Sequence, residues 1–332
     1  VYMENKDIVI TSRIRLARNL KNYKFPIKMN QEEAQNIIKE VNSAINRVNL
    51  NYKLIYMHEL SNLQKSALIE NHLISPALAE KNHTAAFLLS PDKKVSIMLN
   101  EEDHVRIQTI DKGMSLKECW NLSDKIDDVI EETVDYAFDH ELGYVTSCPT
   151  NIGTGMRASV MIHLPALSIT NQVEKLLYGV SQIGVAVRGV YGEGTKSLGH
   201  LYQISNQGTL GASEETLIEK ITQVTDQIVE KEEKTREFLK KKNYDELEDE
   251  FYRAYGLLTN ARRMTTEEAM RLISLVKLGK DMEMIKAADN IDLYNLMTKI
   301  QPSNLSSLMG KELLPNEMDN ERAEIIRSEF LK

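Results

Sequence analysis

Residues 85–110 read AAFLLSPDKKVSIMLNEEDHVRIQTI, and this stretch decides the fold class. It contains three runs of apolar and branched residues, AAFLLS, VSIMLN and HVRIQTI, each with the length of a strand. Only a few polar residues separate one run from the next. Connections this short join antiparallel neighbours, because parallel strands need a crossover of a dozen or more residues. The stretch therefore predicts a mostly antiparallel sheet and not a parallel doubly wound one.

Strand and helix patterns continue on both sides of this stretch, with period-2 alternation in strands and apolar residues three and four apart in helices. Ser61 is the predicted N-cap of one helix, and Pro76 is predicted to stop it. Further strands are predicted at 7–18, 53–60, 158–164, 185–191 and 200–205, and helices at 31–48, 61–76, 115–139 and 168–182.

From about residue 213 to Lys332 the sequence carries only helical signals, including a highly charged run at 230–250 that is typical of a solvated helix face. We predict an α+β fold, in which helices flank the antiparallel sheet and a small all-helical C-terminal domain follows. The boundary is placed near 235–245, so that 1–240 form the main domain and 241–332 the helical one.

Composition narrows the class of protein. The chain has 332 residues, 42% of them hydrophobic, and a net charge of −8, which argues against direct nucleic-acid binding. Its two cysteines, Cys119 and Cys148, lie far apart, as expected in a reducing compartment without a disulfide framework. No apolar run approaches the roughly 20 residues of a membrane span, and no secretory signal pattern opens the sequence. We expect a cytoplasmic protein without membrane contact.

Two glycine-rich stretches suggest nucleotide-binding loops, and both fail as such. Residues 153–158, GTGMRA, fit G-x-G-x-x-A, but a strand pattern follows where a dinucleotide site needs a helix N-terminus. In 189–197, GVYGEGTKS, a threonine separates the glycine from the lysine that a P-loop places side by side. The seven histidines show no zinc-ligand spacing with the cysteines, so no protein-held metal is predicted.

Arginine recurs inside or at the ends of predicted strands. Arg13 and Arg15 are two residues apart, so both side chains point to one face of their strand. A guanidinium in such surroundings needs an anion, and its planar fork binds phosphate oxygens in pairs. Four strands contribute these residues, which suggests a face that grips a polyphosphate. The arginines are Arg13, Arg15, Arg106, Arg157 and Arg188.

Acidic residues and a thiol accompany these arginines. Glu102 lies in NEEDH (100–104), Glu193 in a glycine-rich loop, and Cys148 before Pro149 and the glycine turn. Carboxylates beside a polyphosphate repel it unless a cation lies between them, which could be Mg²⁺ or a guanidinium or ammonium of the substrate. Neighbouring arginines favour the thiolate of Cys148. The glycines are expected to let the backbone approach the phosphate.

Taken together, these segments resemble a known family. SRIRLARN, NEEDHVRIQ, CPTNIGTGMRASV, RGVYGEG and YQISNQGTLG are similar, in order and rough spacing, to segments of the ATP:guanidino phosphotransferases, the group of creatine and arginine kinases. The resemblance covers about residues 7–235. Within the family, HLISP, RGVYGEG and the helical tail are most similar to the bacterial protein-arginine kinases.

The resemblance assigns roles to individual positions. The arginines would hold the phosphates of ATP, His72 would lie near the base or ribose, and Mg²⁺ would arrive bound mainly through ATP. Glu102 and Glu193 would bind the target guanidinium, with Glu102 as the base, and Cys148 would lie beside it. The nucleotide-binding residues would be Thr11, Ser12, Arg13, Ile14, Arg15, His72, Arg106, Arg157, Ala158, Ser159, Val160, Met161, Arg188, Gly189, Val190, Tyr191, Gly192 and Glu193.

The resemblance also implies partners. It implies phosphorylation of exposed arginines in proteins during stress response and protein quality control, with a stress-response repressor among the substrates, a small activator protein and a Clp-type protease downstream. The tail is suited to self-association as a homodimer. Bacterial members carry an R-D-x-x-R-A segment that binds phosphoarginine. Here it reads MDNERA (318–323), so Met318 leaves Asp319 and Arg322 as an incomplete phosphoarginine site.

Three alternatives remain from the residues alone. A small-molecule guanidino kinase would use the same arginines and acids on a free arginine-type substrate. A cysteine-dependent guanidine-modifying hydrolase explains Cys148 and the glutamates, but it leaves five strand arginines without an anion. A non-catalytic phosphoarginine-binding adaptor has no need of a base. Dependence of the modification on ATP separates these classes.

Overall fold

The computed structural model describes residues 8–190, 197–286 and 291–330. The predictions made for Tyr191, Gly192 and Glu193 fall outside these residues. Within them an eight-stranded sheet runs in the order β2-β3-β4-β5-β1-β8-β10-β9, and each neighbouring pair is antiparallel. A separate two-stranded hairpin is formed by β6 and β7. The strands are β1 (Val9–Arg18), β2 (Lys53–Tyr56), β3 (Ala86–Leu89), β4 (Val95–Leu99), β5 (Val105–Lys112), β6 (Phe138–Asp139), β7 (Gly143–Tyr144), β8 (Met156–His163), β9 (Val185–Gly189) and β10 (Leu201–Asn206).

Helices flank this sheet and then make up the rest of the described chain. The antiparallel sheet with flanking helices and a helical C-terminal region confirms the predicted fold class. The helices are α1 (Gln31–Arg47), α2 (Asn62–Glu70), α3 (Pro76–Glu80), α4 (Leu116–Glu131), α5 (Pro165–Ile169), α6 (Val173–Ser181), α7 (Glu214–Lys242), α8 (Tyr244–Asn260), α9 (Thr266–Asp281), α10 (Leu293–Lys299), α11 (Pro302–Met309) and α12 (Pro315–Phe330).

The two faces of the sheet differ in chemistry. Side chains alternate along each strand, so every second residue of β1 points into the core, as Ile14 and Leu16 do with no exposed surface. Helices α4 and α7 pack against the central strands on this apolar side, and α1 packs on α4. Ile107 of β5 and Val160 of β8 belong to the same core. Burial of this face fixes the register, and with it the residues that lie on the other face.

Two predicted helices end earlier than expected. Ser61 caps α2 as predicted, since its hydroxyl accepts from the backbone N–H of Gln64 at 3.2 Å. The helix ends at Glu70, however, and Pro76 begins α3 in place of ending α2. The cause is His72, whose φ of 58° is left-handed and cannot continue a helix.

The helix predicted over 115–139 is α4, and it ends at Glu131. Beyond it the chain turns inward and buries Val134 and Tyr136 in the main core. The phenol of Tyr136 donates to Asp127 at 2.9 Å, and its backbone bridges to Leu20. These tertiary contacts outweigh the local helical pattern.

The C-terminal helices form a second hydrophobic core. Phe251 and Leu278 are buried there, and Met161 and Leu201 from the sheet join them. Ser274 of α9 stands between the imidazoles of His163, which is buried, and His200, which is half-buried, at 2.8 Å from each. The helical region thus packs on the sheet, on the side opposite α4. None of the helices in the described ranges combines the length and apolarity that a bilayer span requires.

Candidate active site

The five strand arginines lie on one face of the sheet. Opposite partners in an antiparallel pair share a face, and Arg15 stands opposite Arg157 across β1 and β8. Arg106 of β5 stands opposite Ala17, which is two residues beyond Arg15 on β1. On the edge strand β9, Arg188 stands opposite Gln203, which shares its face with Met161 and Thr11. Four strands therefore bring Arg13, Arg15, Arg106, Arg157 and Arg188 together.

These guanidiniums repel one another. Burial, followed by the charges of Arg157 and Arg106, lowers the pKa of Arg13 to about 10. Burial, followed by repulsion from Arg13 and Arg106, also holds the pKa of Arg15 well below its ordinary value. The buried Nε of Arg15 has no hydrogen-bond partner within the described part of the chain. Clustered cations with an unused buried donor fit a multivalent anion.

Hydrogen bonds to neutral side chains orient two of these arginines. Arg13 donates through Nη2 to Oε1 of Gln203 at 2.9 Å and through Nε to the hydroxyl of Ser159 at 3.3 Å. Arg157 donates through Nη2 to the hydroxyl of Ser205 at 3.0 Å. Sequence reasoning missed the roles of Gln203 and Ser205. The signal was present, because YQIS in β10 alternates polar residues on the face that carries the arginines.

The acidic turn NEEDH borders this face. Arg106 forms ion pairs with Glu101, which is buried, and with Glu102 at 3.0 Å. Glu101 also accepts from the hydroxyl of Ser75 at the start of α3. The Glu102 side chain is 43% exposed, so it can meet a second reactant while Glu101 serves as a structural partner of Arg106.

Asp103 joins the acidic turn to the cysteine loop. Its buried carboxylate accepts from the side-chain amide of Asn19 and from the backbone N–H of Ser147, both at 2.6 Å. Ser147 precedes Cys148, whose Sγ lies 3.0 Å from the hydroxyl of Thr150. The Asp103 contacts bring Glu102 and Cys148 to the same border of the arginine face.

The glycine turn before β8 has a packing role. Gly155 has a φ of 62°, and a Cβ there would lie 2.6 Å from the carbonyl oxygen of Ala17 and 2.7 Å from Nη1 of Arg18. Gly153 has a φ of 116°, and a Cβ there would meet the carbonyl oxygen of Thr209 at 2.5 Å. These glycines therefore permit close approach of protein backbone, which corrects the expectation that they make room for phosphate.

We expect Gly155→Ala to destabilise the fold by ~1–3 kcal/mol, because alanine combines a left-handed φ with a clash against a backbone carbonyl. Urea unfolding of the variant measures the loss. Gly113→Ala is the matched control, since Gly113 has a similar φ of 66° but open space around the added Cβ. Equal stability of the two variants would show that the close approach at Gly155 costs nothing.

A cavity of about 780 Å³ opens beside the arginines. Arg13, Ser159, His72 and Leu68 are among the residues that line it. Burial, followed by the charge of Arg13, lowers the pKa of His72 to about 4, so its imidazole is neutral at pH 7. The size fits a small-molecule ligand, and the lining includes His72, which the family resemblance assigns to the neighbourhood of the base or ribose.

The depressed pKa of His72 predicts a pH dependence of stability. Between its unfolded pKa of about 6.5 and its folded pKa of about 4, the unfolded chain binds a proton that the folded chain does not. Stability is therefore lost as pH falls through that window, by about 1.4 kcal/mol per pH unit for this group. We expect His72→Asn, which tolerates the left-handed φ, to flatten the slope of unfolding free energy between pH 6.5 and 4.5. An unchanged slope would contradict the buried neutral state.

Residues 33–235 match the family of the ATP:guanido phosphotransferase C-terminal catalytic domain, and residues 244–332 match the protein-arginine kinase McsB C-terminal domain. The protein-arginine kinase of Caldanaerobacter subterraneus subsp. tengcongensis is 49% identical over 99% of this chain and 98% of its own length. This chain belongs to the protein-arginine kinase family. The resemblance noted in the sequence is thereby confirmed.

Another curated relative carries the same name, and solved structures share the fold. The protein-arginine kinase of Moorella thermoacetica is 46% identical over 97% of this chain and 93% of its own. Lombricine kinase shares the fold with a TM-score of 0.61 at 23% identity, over 69% of this chain and 67% of its own. A duplicated taurocyamine kinase from Schistosoma mansoni with bound transition-state analogue components has a TM-score of 0.63 at 20% identity, over 81% of this chain and 40% of its own.

Some of the residues assigned by this family resemblance point away from the arginine face. Ile14, Ala158 and Val160 are fully buried in the opposite core, because they alternate with Arg13, Arg157 and Ser159, so only their backbone could meet a nucleotide. The hydroxyl of Ser12 donates to the carbonyl of Gly113 at 2.8 Å and is structural. Val190 packs in the second core, Gly189 ends the edge strand β9, and Thr11 and Met161 line the cavity.

The phosphoarginine motif of the family is occupied by internal contacts here. Arg322 is 1% exposed and donates to the carbonyls of Ile300 and Met264 and to Asp319, at 3.1, 2.8 and 2.9 Å. Its guanidinium holds three tail segments together. The structure thus gives Arg322 a packing role, and a phosphoarginine site at Asp319 and Arg322 stays a prediction.

Proposed function

We propose that the protein transfers the γ-phosphoryl group of ATP to the guanidinium of arginine side chains in proteins. One observation carries this proposal: five arginines from four strands share one face, and the buried Nε of Arg15 lacks a partner among the described residues. Such a face suits the triphosphate of the ATP that this family uses. The border formed by Glu102 and Cys148 suits a flat, positively charged acceptor.

Transfer requires a nucleophilic nitrogen. A guanidinium has a pKa far above 7, so forming its neutral state at pH 7 costs at least about 7 kcal/mol. A carboxylate that takes the proton during attack avoids that separate step and contributes roughly 10²–10⁴-fold. A terminal guanidinium nitrogen of the substrate bonds to the γ-phosphorus, the bond from that phosphorus to the bridging oxygen of ADP breaks, and the proton passes to the carboxylate.

Glu102 is the described carboxylate placed for that role. It is partly exposed, and its ion pair with Arg106 at 3.0 Å ties it to the arginine face. Glu193, proposed as the second clamp on the guanidinium, lies outside the described residues. The sulfur of Cys148 supports the acceptor electrostatically and forms no covalent bond. Arg13, Arg15 and Arg157 stabilise the charge that spreads over the transferring phosphoryl group.

We propose that Mg²⁺ enters with ATP, because it supplies charge neutralisation between phosphate oxygens. Across residues 8–190, 197–286 and 291–330, no three His, Cys, Asp or Glu side chains are grouped as ligands of a metal ion. The arrangement fits an ion held by phosphate oxygens and water, with the arginines gripping the remaining oxygens.

The setting of the reaction belongs to the same proposal. A cytoplasmic enzyme that phosphorylates exposed arginines, including those of a stress-response repressor, would act in stress response and protein quality control. A small activator protein and a Clp-type protease are the proposed partners. Exposed apolar side chains around the junction of α11 and α12, Leu308, Met309 and Leu314, support self-association as a homodimer or docking of a partner.

The test is transfer from ATP labelled on its γ-phosphate to an arginine-rich protein, with the modified residue located by mass spectrometry. We expect label on arginine side chains of the protein and little on free arginine at equal concentration. Label on free arginine alone would replace the proposal with a small-molecule kinase. Modification without ATP would replace it with a cysteine-dependent hydrolase.

A further inference from the structure

The cavity beside the arginine face has walls from both domains. Its sheet side carries Thr11, Met161 and Ser159, and its opposite side carries Tyr294 and Thr298 of α10. Arg13 belongs to both the cavity and the arginine face. A ligand that places phosphates on the arginines and continues past Arg13 therefore enters a space that the C-terminal helices help to enclose.

The C-terminal helices are held at this cavity by specific contacts. The carboxylate of Glu70, at the end of α2, accepts from the backbone N–H groups of Ser303 and Asn304 at 2.9 and 2.7 Å. Both N–H groups lie in the first turn of α11, where the helix itself provides no acceptor, so the carboxylate caps the helix. The neighbouring Asn71 donates its side-chain amide to Asn304. His72 follows directly in sequence and lines the cavity, so the segment that holds the tail also forms part of the cavity wall.

The side chains that α10 contributes to the cavity suit a nucleoside. Tyr294 lies close enough to Arg13 for its phenol to raise the pKa of that guanidinium, against the lowering by burial and by neighbouring arginines. Asn295 is exposed at the rim and offers amide and carbonyl groups, and Thr298 offers a hydroxyl. Leu60 and Leu68 add an apolar surface to the cavity lining. An aromatic ring, adaptable polar groups and an apolar wall are what a base and a ribose require.

We infer that α10 of the C-terminal domain forms part of the subsite for the base and ribose of the nucleotide, with Tyr294 as its main contact and Asn295 at its rim. This inference rests on the proposed use of ATP and assigns the tail a direct share in binding it. The arginine face grips the triphosphate and α10 recognises the nucleoside. Nucleotide affinity therefore depends on a domain outside the sheet that carries the arginines.

Binding of ATP and of inorganic tripolyphosphate, both with Mg²⁺, separates the two subsites. We expect Tyr294→Ala in the full chain to weaken ATP binding about tenfold or more by calorimetry, and to leave tripolyphosphate binding within twofold of wild type. Asn295→Ala replaces an exposed residue, so it retains the fold, and it should weaken ATP binding at least threefold with the same selectivity. Tyr252→Ala, an exposed tyrosine on α8 away from the cavity, is the control and should change neither affinity.

ATP binding by Tyr294→Ala and Asn295→Ala at wild-type strength would overturn the inference and leave the proposed function intact. Equal weakening of ATP and tripolyphosphate in both variants would also overturn it, because the tail would then act on the arginine face and not on the nucleoside. Failure of the wild-type protein to bind either compound would overturn the proposed function together with the inference.

Discussion

Glu102→Gln is expected to abolish phosphoryl transfer to protein arginine while ATP still binds. The amide keeps the shape of the carboxylate but cannot accept the guanidinium proton, so the barrier gains most of the free energy that a positioned base supplies. A fall in the single-turnover rate of about 10²–10⁴-fold is the expected size. ATP affinity should hold or rise slightly, because Glu102 now neutralises part of the charge of Arg106 at 3.0 Å.

Single-turnover rates and ATP dissociation constants of the variant measure both effects. Glu237→Gln is a matched control, since Glu237 is exposed on α7 and lies outside the site. Transfer by Glu102→Gln at the wild-type rate would remove Glu102 from the role of base. A variant that loses ATP binding as well would show that Glu102 organises the arginine face instead.

The second large effect is expected at Arg15. Arg15→Met should remove ATP binding and transfer, yet raise the stability of the unliganded protein by ~1–3 kcal/mol. The methionine eliminates a charge whose pKa is depressed by burial and by repulsion from Arg13 and Arg106, and it eliminates an unsatisfied Nε. The apolar stem that packs in the sheet is retained. Function and stability should therefore move in opposite directions.

Thermal unfolding with and without ATP tests both halves of this expectation. The wild-type protein should gain stability with ATP, because a ligand that binds only the folded state raises its melting temperature. Arg15→Met should start from a higher melting temperature and gain nothing from ATP. Arg47→Met, at an exposed position ending α1, should behave as wild type. A lower melting temperature for unliganded Arg15→Met would show that contacts of the arginine within the protein stabilise the unliganded fold.

Sequence patterns predicted the features that depend on neighbouring residues, and they failed where contacts between distant residues decide the structure. Strand alternation predicted that Arg13 and Arg15 share a face, and the short connections in 85–110 predicted antiparallel order. Both signals are local and survive in the structure. Local signals failed where distant residues intervened. The helical pattern continues after Glu131, but the helix ends there because Tyr136 is buried in the main core. Gly155 is required by the close approach of the carbonyl of Ala17, which lies 138 positions earlier in the chain.

The sequence by itself determined the antiparallel sheet, the arginine-bearing alternation of its strands and the family to which the chain belongs. Only the tertiary structure decided how separate loops and domains meet. It placed Asp103 between the acidic turn and the Cys148 loop, committed Arg322 to internal carbonyls, and set Tyr294 beside Arg13. The physical reason is that side-chain direction repeats over two or four residues and can be read locally. Contacts between residues tens to hundreds of positions apart depend on how whole elements pack.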